Sequence, residues 1–249
     1  MIFIIPKSDI FTPLSIETDI DIRMSIKILY VTATSQEAEA IIKKGGILPV
    51  PGGYSFGNFD INLLVAGVGS VATAWALKQW VMVNGKPDLA INGGIAGSYK
   101  DEFVPGDVVM PITDCFADAG IEAGDNFITL SEAGLINPDE FPYREGLIYA
   151  DTRYSDRIKS ILKPVRAITV NTATGSETTR IRLMRKFNPD IETMEGATFF
   201  YICCRENIPF LAVRAISNKV EPRNKKNWNI PLAFNNLSEK LIEVLLTLQ

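Results

Sequence analysis

Apolar positions along this chain fall into two alternating rhythms. "SIKILYVTA" (25–33) is a short, nearly continuous apolar run, the pattern of a strand buried on both faces. The next segment, "QEAEAIIKK" (36–44), changes to helical spacing; Thr34 or Ser35 is placed to cap it and Gly45-Gly46 to end it. "GGYSFGNFDINLLVAG" (52–67) predicts a hairpin-like pair of strands, and "VATAWALKQWVMVNG" (71–85) a helix stopped by Gly85 with Pro87 just beyond. "PDLAING" (87–93) predicts a strand that opens into a glycine-rich loop, Gly93 to Gly97, and "GDVVMPITDCFAD" (106–118) a longer strand interrupted at Pro111.

In the second half, Gly, Pro and Asn punctuate residues 120–150, which predicts an excursion of loops. A helix over 151–162, the strand "VRAITV", the loop "NTATGS" and a helix over 178–187 follow. The short strand "DIETM", the helix "GATFFYICCREN", the strand "FLAVRAI" after Pro209 and an amphipathic helix from about Pro231 complete the chain. Strands that alternate with helices predict a single α/β domain: a central mixed, largely parallel twisted sheet flanked by helices. The domain is expected to span 24–249, with 1–23 as an N-terminal extension before the first strand.

Composition narrows the function. At 249 residues and 47% hydrophobic, the chain can bury a sizeable core. A net charge of -4 with no basic block argues against nucleic acid as a partner, and no apolar run is long enough to span a membrane. Cys115, Cys203 and Cys204 form neither a CxxC pair nor a disulfide framework, which points to a reducing compartment, the cytoplasm. There is no histidine. Ser-His-Asp and Cys-His nucleophile systems and histidine zinc sites are therefore excluded, and acid–base work falls to carboxylates, backbone dipoles or the substrate.

Unusual residues recur where strands end, the edge at which open α/β sheets bind ligands. Glu37 stands one helical turn after the first strand. "GGIAG" (93–97) follows a second, "NTATG" (171–175) a third, Met194-Glu195-Gly196 a fourth and Ser217-Asn218 a fifth. Each has an ordinary structural use: Glu37 and Glu195 as helix-start acids, the glycines as turn residues, Asn218 as a cap of its own loop. "GVGSVA" (67–72) mimics a dinucleotide fingerprint, but the next strand ends in Asn92 where that fingerprint needs an acid, so a tight turn and helix packing are the better reading.

Taken in order, "TATSQEAEA", "GVGSVATA", "INGGIAG", "GDVVM", "IETMEGA" and "RAISN" resemble the purine nucleoside phosphorylase and nucleosidase superfamily from Met24 to the C-terminus. Within it the resemblance is to the futalosine hydrolases, because "RAISNKVEPRN" is followed by Trp228; the methylthioadenosine/S-adenosylhomocysteine nucleosidases are the next relatives. The resemblance implies hydrolysis of a purine nucleoside at its N-glycosidic bond, with no metal and no organic cofactor. It matches Glu37 to the carboxylate that activates water and Glu195 to the acid that holds the ribose hydroxyls, with Met194 packed on the sugar. Arg214 and Ser217 match residues that orient the water and the base loop, and Thr172 and Ala173 the segment whose backbone reads the purine. Two departures stand out. "LAINGGIAG" offers no arginine for a phosphate nucleophile, which favours water. Ile95 replaces a hydroxyl residue, which leaves the backbone of Ala96 and Gly97 to face the site.

Asn218 stands where adenine-releasing relatives carry an aspartic acid. An amide offers a donor and an acceptor together, the complement of a 6-oxopurine, so hypoxanthine is the expected leaving group and futalosine the expected substrate. An adenine nucleosidase and a nucleoside-binding protein without catalysis are the alternatives. Arg223 is a candidate for holding the substrate's far carboxylate. The family implies a homodimer or larger homo-oligomer, with the site near the interface.

Overall fold

The computed structural model describes residues 25–43, 46–124, 126–222 and 224–249. The extension expected over 1–23, Gly45 and Arg223 lie outside the described residues. The first half runs β1 (Ile26–Thr32), α1 (Ser35–Ile42), β2 (Leu48–Val50), β3 (Gly53–Phe56), β4 (Phe59–Val65), α2 (Ser70–Asn84), β5 (Leu89–Ser98) and β6 (Val108–Asp114). A small hairpin, β7 (Gly120–Ala123) with β8 (Asn126–Thr129), precedes β9 (Ile148–Tyr149) and α3 (Thr152–Ile158). Then come β10 (Lys163–Thr169), α4 (Glu177–Phe187), β11 (Ile191–Thr193), α5 (Gly196–Glu206), β12 (Phe210–Lys219) and α6 (Ile230–Leu248).

The expected α/β architecture is present. One mixed sheet runs in the order β11-β10-β6-β12-β5-β1-β4-β3-β2, with α1, α3 and α6 on one side and α2 with α5 on the other. One apolar core lies under α1 and α6, built on Ile28, Ile61, Leu89, Leu211, Leu237 and Leu241. A second lies under α2 and α5, where Phe199, Phe200 and Phe210 meet edge to face. No described helix is long and apolar enough to cross a membrane.

Three sequence expectations are corrected. The predicted loop at Gly93–Gly97 is instead the second half of β5, one continuous strand. Close approach explains the glycines: a Cβ at Gly93 would lie 2.1 Å from Tyr30 Oη, and one at Gly94 2.9 Å from Glu37 Oε1. The interruption expected at Pro111 is a bulge and not a break: β6 runs on, but Val165 pairs with Pro111 and Arg166 with Thr113, which leaves Ile112 as the extra residue. Residues 120–150 hold the β7–β8 hairpin and β9 within their loops.

One property goes beyond the expected sheet. β11 pairs antiparallel with β5, so β5, β12, β6, β10 and β11 close on themselves in a ring. β12 extends past its expected end to Lys219, and its pairing with β5 shifts between Ile216 and Asn218. Ser217 is the extra residue of that bulge, which lets neighbouring Ser217 and Asn218 face one cavity.

Candidate active site

A cavity of about 210 Å³ opens at one end of the closed ring. Its wall takes Thr34 and Glu37 from the start of α1, Val68 before α2, Ile95–Gly97 from β5 and Ala173-Thr174 from the loop after β10. Glu192–Glu195, Ser217, Asn218, Val220 and Trp228 complete it. Of the residues singled out in the sequence, Glu37, Ala96, Gly97, Ala173, Met194, Glu195, Ser217 and Asn218 are brought together here.

Glu37 is 5% exposed and serves two structures at once. With Thr34 it forms a reciprocal capping box: Glu37 N donates to Thr34 Oγ1 at 3.3 Å, and Thr34 N donates to Glu37 Oε2 at 2.9 Å. Ala33 N and Thr34 Oγ1 also donate to Oε2, at 3.1 and 3.0 Å. Oε1 reaches across to β5 and accepts from Ile95 N at 3.3 Å. The capping role is thus real, yet one oxygen remains turned toward the cavity wall.

Glu195 sits at the N-cap of α5 without capping it through its side chain. Its Oε1 instead accepts from Gly69 N, at the start of α2, at 2.9 Å. This is what "GVGSVA" does: Gly67 and Gly69, at φ 91° and 90°, turn the chain so that an α2 amide meets a site carboxylate. Burial raises the Glu195 pKa above the usual carboxylate range, partly offset by the Gly69 hydrogen bond and the Arg214 charge.

Arg214 is corrected as a cavity residue. It is 1% exposed in the middle of β12 and does not line the cavity. Its guanidinium donates to Asn92 O at 2.6 Å, to Val213 O at 3.1 Å and to Asn92 Oδ1. Burial lowers its pKa, against the attraction of Glu195, Glu37 and Asp114. Arg214 is a buried counter-charge behind the carboxylates. Thr172 is also corrected: it is exposed outside the cavity, and Thr174 lines the wall beside Ala173.

Asn218 is 9% exposed. Its Oδ1 accepts from Ser217 Oγ at 2.7 Å and its Nδ2 donates to Lys219 O at 2.8 Å; one acceptor site and one N–H remain. Ser217 Oγ also lies 3.2 Å from Ala96 O.

Two acids were missed in the sequence. Glu192 lines the cavity, accepting from Thr174 N at 2.8 Å, Thr174 Oγ1 at 2.5 Å and Tyr99 Oη at 2.7 Å. Asp114 lies fully buried behind the site; its Oδ1 accepts from Thr169 Oγ1 at 2.9 Å and Cys115 N at 2.8 Å. Thr169 Oγ1 in turn accepts from Ala197 N at 2.7 Å, which ties this acid to the first turn of α5. Burial pushes the Asp114 pKa up to about 7. Among the described residues no group of three or more Cys, Asp or Glu could hold a metal ion.

This ring, with its wall of strand ends, has the shape of a known family, and residues 27–248 match the model of the Phosphorylase superfamily. The chain belongs to that superfamily. Among curated relatives it is 30% identical to a futalosine hydrolase of Streptomyces coelicolor, over 85% of this chain and 92% of that one. It is 26% identical to a 5′-methylthioadenosine/S-adenosylhomocysteine nucleosidase of Buchnera aphidicola, over 77% and 82%. Among solved structures, a Helicobacter pylori MTAN mutant with 5′-methylthioadenosine in its active site shares the fold at a TM-score of 0.73. That match has 18% identity and covers 89% of this chain and 99% of that one.

Proposed function

We propose that this enzyme is an N-glycosyl hydrolase acting on a purine nucleoside, and that its substrate is futalosine, cleaved by water to release hypoxanthine. The observation that carries this reading is the meeting of Glu37, Glu195 and the Asn218 amide in one cavity, with Arg214 buried behind them. Glu37 takes the proton of the attacking water. Glu195 accepts from the ribose hydroxyls and gains strength as the sugar becomes cationic, because charge developing in a dry cavity is stabilised by an anion already in place. The spare N–H of Asn218 meets the 6-oxo group, and its spare acceptor site meets the ring nitrogen of the departing base, which takes a proton from solvent, balanced when Glu37 returns water's proton to solvent. No step needs a metal or an organic cofactor.

The second reading, an adenine nucleosidase, draws on the Buchnera relative. Parallel incubation with futalosine, inosine and methylthioadenosine, with the released bases separated chromatographically, decides between them. Hypoxanthine from futalosine alone supports the first; adenine from methylthioadenosine at a comparable rate refutes it. Asn218→Asp is expected to lower the ratio of kcat/KM for futalosine over its aminopurine analogue, because an ionised Asp offers the 6-oxo group no donor. An unchanged ratio would leave Asn218 as a cap of its own bulge.

The active form is a homodimer that pairs through α2, in the cytoplasm. Supporting this, α2 presents Val71, Trp75 and Met82 outward at 84%, 72% and 74% exposure, next to Val68 of the cavity wall. Light scattering checks it: Trp75→Lys should shift a dimeric mass toward the monomer.

A further inference from the structure

Helix α5 starts where the proposed site needs a free carboxylate, and its cap comes from elsewhere in the chain. The first N–H groups of a helix have no partner within it, and the N-cap side chain ordinarily meets one of them. Glu195 is the N-cap of α5, but its side chain makes no such bond and reaches Gly69 N instead. Two threonines from neighbouring strands take over. Gly196 N donates to Thr193 Oγ1 of β11 at 3.1 Å, and Ala197 N donates to Thr169 Oγ1 of β10 at 2.7 Å.

The hydrogens on these hydroxyls have one consistent arrangement. Asp114 Oδ1, at the end of β6, accepts from Cys115 N at 2.8 Å and from Thr169 Oγ1 at 2.9 Å. An oxygen already met by two donors carries no proton of its own, so the Thr169 hydrogen points at Asp114 whatever the charge of the acid. Thr169 Oγ1 can then only accept from Thr193 Oγ1, 3.3 Å away. The donors run one way: Gly196 N to Thr193, Thr193 and Ala197 N to Thr169, Thr169 to Asp114. Asp114 Oδ2 has no hydrogen-bond partner among the described residues and lies against Gly196, where a Cβ would overlap it. The carboxyl thus holds the first turn of α5 through hydrogen bonds at one oxygen and through contact at the other.

We propose that Asp114 is a positioning residue for Glu195. It ends the relay that caps α5 in place of Glu195, and so fixes the Glu195 backbone while the Glu195 carboxylate stays turned to the sugar. This rests on the reading of Glu195 as the acid that accepts from the ribose hydroxyls. Asp114 itself is fully buried and does not line the cavity. What the relay requires of it is an acceptor, not a charge.

The test is the ratio of kcat/KM for futalosine over its 2′-deoxy analogue, which reports the grip of Glu195 on the ribose. The wild type should favour the ribose form by at least about tenfold, since the deoxy form forfeits a hydrogen bond to a charged group. Asp114→Val fills similar space but accepts nothing, and Thr169→Val removes the hydroxyl at almost constant volume. In either variant the first turn of α5 loses its anchor: kcat/KM for futalosine should fall by about tenfold or more, and the ratio should fall toward one. Asp114→Asn keeps a carbonyl oxygen for Thr169 and Cys115 and should retain the wild-type ratio. A folded Thr169→Val with a lowered melting temperature but an unchanged ratio shows a structural role only and overturns the proposal. So does an Asp114→Asn whose ratio collapses. If Asp114→Val does not fold, Thr169→Val decides by the same ratio. A wild type that cleaves both forms equally well removes the reading of Glu195 itself; a wild type that favours ribose, with variants that do so equally, removes this proposal alone.

Discussion

The two ends of the sheet are built on opposite terms. Where β1, β4 and β3 extend away from the ring, the core under α1 and α6, which also takes in one face of β5, β6 and β12, is made of apolar side chains with Tyr30 among them, and burial is what stabilises it. On the ring strands, the buried side chains include Asp114, Glu192, Arg214 and Asn218, and α1 adds Glu37 beside them. Charges cost free energy to bury unless each is hydrogen-bonded or balanced, and here each is tied to backbone amides, hydroxyls or a neighbouring charge. Closure makes this arrangement possible. Five strands joined in a ring hold these groups at fixed spacing, where an open sheet edge would admit water. One region spends its sequence on stability and the other on preorganised polarity.

Three substitutions and one pH profile would break or sharpen this contrast. The largest effect is expected from Glu37→Gln, which keeps shape but removes the proposed base: turnover should fall by about 10²–10⁴-fold. The melting temperature should fall modestly, since the Gln oxygen can still accept from Thr34 N while its NH₂ meets Ile95 N–H, which loses its acceptor. Near-normal hydrolysis would refute the assignment. In the apolar region Leu241→Ala should do the reverse, costing about 2–5 kcal/mol in denaturant unfolding while the folded fraction keeps its kcat. A matching loss of kcat would mean the two regions are not separable.

Asp114→Asn should stabilise the protein, and only above acid pH. The Asp114 pKa is raised from 3.8 to about 7, so the folded state holds a proton that the unfolded state releases between these values. Stability from this group is present below about pH 4 and is lost as pH rises through 7. The melting temperatures of variant and wild type should therefore converge near pH 4, with the variant ahead at pH 8; a gap independent of pH contradicts the assignment. The smallest effect concerns Glu195, whose pKa burial raises above its ordinary value: if the proposed site needs it ionised, the acid limb of kcat/KM should lie above that of an exposed glutamate. Activity should decline as pH falls through that limb, and a limb no higher than that of an exposed glutamate would show that Glu195 need not be ionised.

Much of this was legible in the sequence where a local signal decides structure. Thr34 caps α1, Gly85 ends α2 and Pro231 lies in the first turn of α6, as their chemistry dictates. Glu37, Glu195 and Asn218 were visible because they stand at element boundaries. What stayed hidden depends on partners distant in the chain. Gly93 and Gly94 read as a loop because nothing local reveals that Tyr30 and Glu37 press against them. Ring closure rests on β11, a strand of 3 residues with no periodicity to detect. Asp114 sits as one acid inside the apolar run of β6 and Glu192 lies between Asp190 and Glu195, and only the fold shows which of them faces a cavity.

The cysteines carry a last consequence, for labelling chemistry. Burial raises the Cys115 thiol to about 12 and Cys204 to about 11, and holds Cys203 well above its ordinary value. The thiolate is the reactive form, so at neutral pH these native sulfurs should ignore maleimides over minutes. A cysteine placed at an exposed site such as Trp75 would then be the single reactive handle among the described residues. A spectroscopic probe could be attached beside the proposed subunit contact without first stripping the protein of its own thiols.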